Sequence, residues 1–323
     1  MQILGPMTGF TMAARAWDSG VSSAGLHAQV CYPTDYPYLD GKSVSPNTCS
    51  AYPYRPVVIE DRASFKQAAD KQHVPSILLY AQMCYSGVFG EADKGEARHY
   101  FKQAADLGDI DATKQYALMC YNGEGGKIHL GDARYYYIKA AKKQDVFSAE
   151  VTAAMCYKGL GGNKNLKVAR RFFKQAADQG AAYSQYHYAV MCAQGEGGEV
   201  NNLEARLYYK LAADQDVADA QRGYANMCVK GIGGEVDDRE ARDYYKLAAD
   251  QGVVESQKNY AHMCYKGMGG EKNDREAREY YKLAADQGFV ESQGNYAHMC
   301  YMGAGGARDY KEARKYFKLV ADQ

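Results

Sequence analysis

From Glu60 onward, apolar and polar letters alternate between two helical stripes. In the window Val253–Gly288, Ser256, Tyr260, Met263, Cys264 and Gly267 stand at i, i+4, i+7, i+8 and i+11, which is one face of an α-helix. Gly267-Met268-Gly269-Gly270 ends that segment, because glycine suits a left-handed C-terminal cap. Asn273 or Asp274 can cap a second helix. In it Ala277, Tyr280, Tyr281, Ala284 and Ala285 follow at i, i+3, i+4, i+7 and i+8, and Gly288 closes it. Lys282 and Asp286, four residues apart, form a weakly stabilising pair on the solvent side.

This pair of helices recurs. Cysteine stands at 84, 120, 156, 192, 228, 264 and 300, every step being 36 residues. Ala-Ala at 68, 104, 140, 176, 212, 248 and 284 keeps the same beat, as does Ala-Arg from Ala97-Arg98 to Ala313-Arg314. The register predicts a half repeat over 60–72 and seven full repeats over 73–323. One helix pair cannot bury its apolar face alone, whereas stacked pairs can. The alanine columns let helix backbones approach, and tyrosines fill the spaces between helices. The expected class is all-α: an α-solenoid of antiparallel helix pairs with an unbroken 36-residue period.

Residues 1–59 form a separate Pro/Tyr-rich segment with six of the seven prolines, so most of it cannot be helical. Ala16-Trp17-Asp18-Ser19-Gly20 echoes Ala248-Ala249-Asp250-Gln251-Gly252, and His27–Tyr32 echoes Tyr80–Tyr85. Two readings stand: a degenerate repeat interrupted by the insert Pro33–Pro56, or a disordered leader.

Composition narrows the function. The formal net charge is zero and the pI about 7, which argues against a nucleic-acid binder. No stretch reaches the roughly 18 apolar residues of a membrane span. The N-terminus lacks a basic residue ahead of its short apolar run, and Gly5-Pro6 interrupts that run, against a secretory signal. Nine cysteines cannot all pair with one another, so a reducing, cytoplasmic setting is the expectation.

A returning cysteine invites three chemistries, and geometry argues against each. Equivalent positions of stacked repeats lie about 10 Å apart, too far for a disulfide, whose Cα atoms lie within about 7 Å. His262 and Cys264, like His298 and Cys300, are two residues apart and point to different sides of a helix, so neither pair clamps a metal. Gly-x-Gly-Gly follows a helix, recurs six times with a degraded copy at Gly87–Gly90, and lacks Gly-Lys-Ser/Thr, so it reads as a turn rather than a phosphate cradle. No nucleophile-elbow or kinase signature is present. Neither catalytic residue, cofactor nor metal is expected. The column cysteines read as small buried apolar residues, and Asp250 and Asp286 as solvated helix ends.

The unit SQKNYAHMCYKGMGGEKNDREAREYYKLAADQG resembles a Sel1-like repeat, a relative of the tetratricopeptide repeat, and the resemblance covers about residues 60–323. Tyr260-Ala261 stands where that family often has Leu-Gly, Cys264 where it often has tyrosine, and Gly270 where it often has a branched apolar residue. The resemblance implies a right-handed solenoid whose first helices line a concave face. It also implies a non-enzymatic scaffold or adaptor that holds a peptide or partner protein there. A cell-wall or β-lactam hydrolase of the bacterial cysteine-rich kind is the alternative, although that kind carries two cysteines per repeat. An ER-luminal adaptor of protein degradation is a third.

Comparing the seven copies separates scaffold columns from variable ones. The variable first-helix columns project opposite the Tyr260/Met263/Cys264 stripe. They nominate Gln82, Lys114, Glu150, Tyr186, Arg222, Asn226, Lys258, His262 and His298. The tyrosine column adds Tyr85, Tyr121, Tyr157, Tyr265 and Tyr301, with Ala193 and Val229 breaking it. Tyrosine is favoured at interfaces as a large, rigid, amphipathic surface. At the C-terminus the seventh repeat shows no capping helix, so three readings stand: Tyr316, Phe317 and Val320 face water, another chain covers them, or the natural protein is longer, with self-association through that end the expectation.

Overall fold

The computed structural model describes residues 62–322, and the readings for 1–59 lie outside the described residues. A leading helix α1 (Arg62–Asp70) matches the half repeat. Seven helix pairs follow: α2 (Val74–Ser86) and α3 (Lys94–Asp106), α4 (Ile110–Asn122) and α5 (Leu130–Ala141), α6 (Val146–Lys158) and α7 (Leu166–Asp178), α8 (Ala182–Gln194) and α9 (Asn202–Ala213). The last three are α10 (Ala218–Lys230) and α11 (Asp238–Asp250), α12 (Val254–Lys266) and α13 (Asp274–Asp286), α14 (Val290–Met302) and α15 (Tyr310–Ala321). Consecutive helices pack on one another, and no strand occurs among the described residues. The fold is the all-α solenoid that the period predicts.

The turns follow from single residues. Gly267 takes φ 72° at the end of α12, and Asn273 caps α13 by accepting the Glu276 N–H at 3.1 Å. Gly269 has a different task. A Cβ there would lie 2.5 Å from the Asp238 carbonyl carbon, at the start of the preceding repeat's α11. The turn therefore seats its backbone on the neighbouring helix, and the same approach recurs at Gly125, Gly161, Gly197, Gly233 and Gly305.

The alanine columns are buried apart from the half-buried Ala68, and Cys84 through Cys300 are fully buried. The cysteines are not merely apolar filling, however. Arg242 of α11 donates Nη1 to the Glu271 carbonyl at 2.9 Å and Nη2 to Cys264 Sγ at 3.4 Å, both in the next repeat. Arg98, Arg170, Arg206 and Arg278 repeat this pair of contacts. The thiol is an acceptor in a guanidinium staple between repeats, a role that helical projection of one repeat could not show.

The aspartates at the ends of the second helices, Asp250 and Asp286, are exposed as expected, and they also link repeats. Asp250 accepts from Lys246 within its helix at 2.9 Å and from the Tyr280 hydroxyl of the next repeat. Burial acts to raise the Asp250 carboxyl, but these two donors outweigh it and hold the group below the ordinary carboxylate range. The tyrosine rings pair edge-on within six of the seven repeats, as Tyr260 with Tyr280 at 4.7 Å between centroids, the third having Thr152 and Phe172 instead. At the C-terminal end Tyr316 is buried rather than facing water, because its ring stands edge-on to Tyr296 at 4.9 Å and its hydroxyl donates to Asp286. Phe317 is exposed and Val320 half-buried.

Candidate functional site

The variable columns of the first helices are less bare than their projection implies, because two neighbours reach over them. The first neighbour is the next repeat. Lys114 pairs with Asp145 at 3.3 Å, Arg222 with Glu255 at 2.7 Å, Lys258 with Glu291 at 3.2 Å, and Ser184 donates to Glu150 at 2.9 Å. Each contact steps from one repeat into the following one, so this column is a ladder of half-buried polar links. Burial raises the Glu150 carboxyl despite the Ser184 hydrogen bond.

The second neighbour is the second helix of the same repeat. Tyr245 donates to Asn226 Oδ1 at 2.6 Å, and the Tyr281 hydroxyl lies 3.4 Å from His262 Nδ1. In the second repeat the corresponding pair is Tyr137 and Leu118. Leucine offers no acceptor, so the fully buried Tyr137 hydroxyl finds no partner among the described residues. Gln82, His262 and His298 remain exposed.

The tyrosine column behaves as a set. Tyr85 donates to Glu124 at 2.7 Å and lies under the Lys94 ammonium at 4.9 Å. Tyr157 donates to Glu196 at 3.3 Å, with Lys164 5.2 Å from its ring. Tyr265 has Lys266 and Lys272 over its ring at 5.5 and 5.2 Å. Tyr121 is half-buried, and the exposed Tyr301 packs on Tyr310 at 5.5 Å.

Three of the nominated residues meet in one place. Tyr186 on α8 with Arg222 and Asn226 on α10 line a recess of about 250 Å³ between the fourth and fifth repeats. Ala193, Asn202, Tyr209, Asp219, Gly223 and Ile232 complete most of its wall. The Tyr186 and Tyr209 rings pack on each other as a tilted pair, centroids 6.1 Å apart at 56°, so they form adjoining parts of the wall. Gly223 is what admits the Tyr209 ring, since a Cβ there would stand 2.7 Å from its Cε1. Arg222 is held between Glu255 at 2.7 Å and Asp219 at 3.3 Å. Beside it His187 stacks on Phe173 at 5.2 Å, and burial pushes its imidazole down to about 4.

The remaining candidates do not join this recess. The wall residues Tyr209, Gly223, Asn202 and Ile232 are absent from the sequence candidates. Two signals pointed toward them: the break of the tyrosine column at Ala193, and a lone glycine inside an otherwise helical pattern at 223. Among the described residues no cluster of three His, Cys, Asp or Glu is arranged to hold a metal, and no helix is long and apolar enough to cross a membrane.

A family model described as Sel1 repeat matches residues 74–109, 110–145, 152–180, 182–217, 218–253, 254–289 and 290–323. Among solved structures, the chain is similar to c5321, a protective antigen of uropathogenic Escherichia coli strains displaying an SLR fold. The identity is 25% and the TM-score 0.66, over 81% of this chain and 56% of that one. It is also similar in fold to a Sel1 repeat protein from Oxalobacter formigenes, with 23% identity and a TM-score of 0.59, over 81% of this chain and 75% of that one. The chain thus spans little more than half the length of the first of these. No curated protein matches it.

Proposed function

The chain belongs to the Sel1 repeat family, and from that premise we propose that it is a non-enzymatic scaffold holding a peptide or partner protein against the face made by its first helices. Sel1 repeat proteins are commonly protein-interaction scaffolds. The observation that carries the reading here is the convergence of Tyr186, Arg222 and Asn226, from two different repeats, on one recess. Half-buried tyrosine and arginine beside a concavity are the composition of interface anchors. A reducing, cytoplasmic setting suits this reading, because the column thiols serve as acceptors for arginine N–H groups.

The test is site-specific photocrosslinking in the native organism. A photoreactive residue at Lys230, at the end of α10, should capture a discrete protein partner. The same group at Glu279, exposed on the second helix α13, should not. Capture of the same proteins from both positions, or of none from Lys230, overturns the assignment of the binding face.

A further inference from the structure

The recess exists because a tyrosine is missing, and the array itself shows what belongs in the space. Tyr85 reaches two residues: Lys94, nine positions on, and Glu124, thirty-nine positions on in the next repeat's turn. Tyr157 makes the second of these contacts with Glu196. The same two steps from Ala193 lead to Asn202 and Ile232, and both line the recess. The cavity thus lies where a tyrosine of this column places its ring. At the other break in the column, the larger Val229 and Met268 pack against the core, as Ala193 and Ile232 do here.

We propose that this recess receives one neutral aromatic side chain, tyrosine or phenylalanine, from the protein partner. The inference rests on the scaffold reading above and deepens it. Size argues for a single side chain: about 250 Å³ falls below the roughly 300–1,000 Å³ of small-molecule sites. Shape argues for a ring, because Tyr186 and Tyr209 supply adjoining aromatic parts of the wall. Charge argues for a neutral guest, because the Arg222 guanidinium is already answered by Glu255 and Asp219. Asn202 at the rim offers an amide to a phenolic hydroxyl, which would give tyrosine an advantage over phenylalanine.

The test selects binders from a random displayed peptide library on the full chain, then measures their affinity by titration. Selected peptides should share an aromatic residue, and replacing it with alanine should weaken binding roughly thirty-fold, the size of a hot-spot contact. Ala193→Tyr, which restores the column, should weaken the parent peptide equally, and the two losses should not add. Its thermal melt reports whether the variant stays folded, and the peptide-side substitution needs no protein variant. Peptides that bind without a shared aromatic, or whose aromatic can be replaced with less than about a two-fold loss, overturn this inference and leave the scaffold reading standing. Failure to select any peptide overturns both.

Discussion

Gly269 and Gly288 carry the same backbone constraint in different surroundings, so they separate conformational cost from contact cost. Both have positive φ, 70° and 85°. A Cβ at Gly288 meets nothing within 4 Å, whereas one at Gly269 drives into the Asp238 carbonyl and stands 2.9 Å from Arg239 N. Gly288→Ala therefore incurs only the left-handed penalty of about 1–2 kcal/mol, partly offset by about 0.4–1 kcal/mol from the stiffer unfolded chain. The expected loss is about 1 kcal/mol. Gly269→Ala adds the overpacking of a turn against a helix backbone, about 1–3 kcal/mol more, for a total near 3 kcal/mol. The contact lies between the fifth and sixth repeats. Because a repeat array is held by nearest-neighbour interfaces, the substitution should also split unfolding at that junction. Guanidinium unfolding followed by circular dichroism should show a broadened or two-step transition for Gly269→Ala and a single shifted one for Gly288→Ala. Equal destabilisation of the two variants would refute the close approach.

Three further expectations follow from the same geometry. Tyr137→Phe removes a buried hydroxyl that has no partner and should be neutral or stabilising by up to about 1 kcal/mol, whereas Tyr245→Phe leaves Asn226 without its donor and should cost about 1 kcal/mol; paired chemical melts with the same sign for both variants would contradict the assignment. Cys264→Ala leaves a small cavity and removes an acceptor from Arg242, for a loss of about 2 kcal/mol. Cys264→Ser keeps an acceptor and should lose less, so a serine variant that melts below the alanine variant would argue against the staple. His187 is held neutral by burial, with Lys158 adding to the effect and Asp219 opposing it, and its folded value of about 4 lies below the unfolded value near 6.5. The unfolded chain then binds the extra proton between those values, so this contribution is intact above pH 6.5 and is lost as pH falls toward 4, by up to about 3 kcal/mol. Melting temperatures should fall from pH 7.5 to 5 in the parent and fall less in His187→Asn.

The helix pairs were legible because their causes are local. A glycine after each first helix, an Asn or Asp before most second helices, and alanines at helical spacing act within one repeat, and seven copies in register multiply the signal. The burial of the Tyr260/Met263/Cys264 stripe follows from the helical spacing for the same reason. The roles of Cys264 and Asp250 were not legible, because the groups that bind them, Arg242 and Tyr280, come from the neighbouring repeat. The variable columns looked free in projection because projection treats one helix alone, while Glu255, Glu291 and Tyr245 arrive from other helices.

The sequence by itself determined the period, the helix class and the stacking, since each follows from steric and hydrophobic preferences that act over a few residues and repeat every 36. Only the tertiary structure decided which departure from the pattern matters. Ala193 and Gly223 are two ordinary small residues 30 positions apart until stacking sets α8 beside α10. One then leaves a ring's space empty and the other lets Tyr209 form its wall, because a cavity depends on distances between helices, which no single helix's sequence contains.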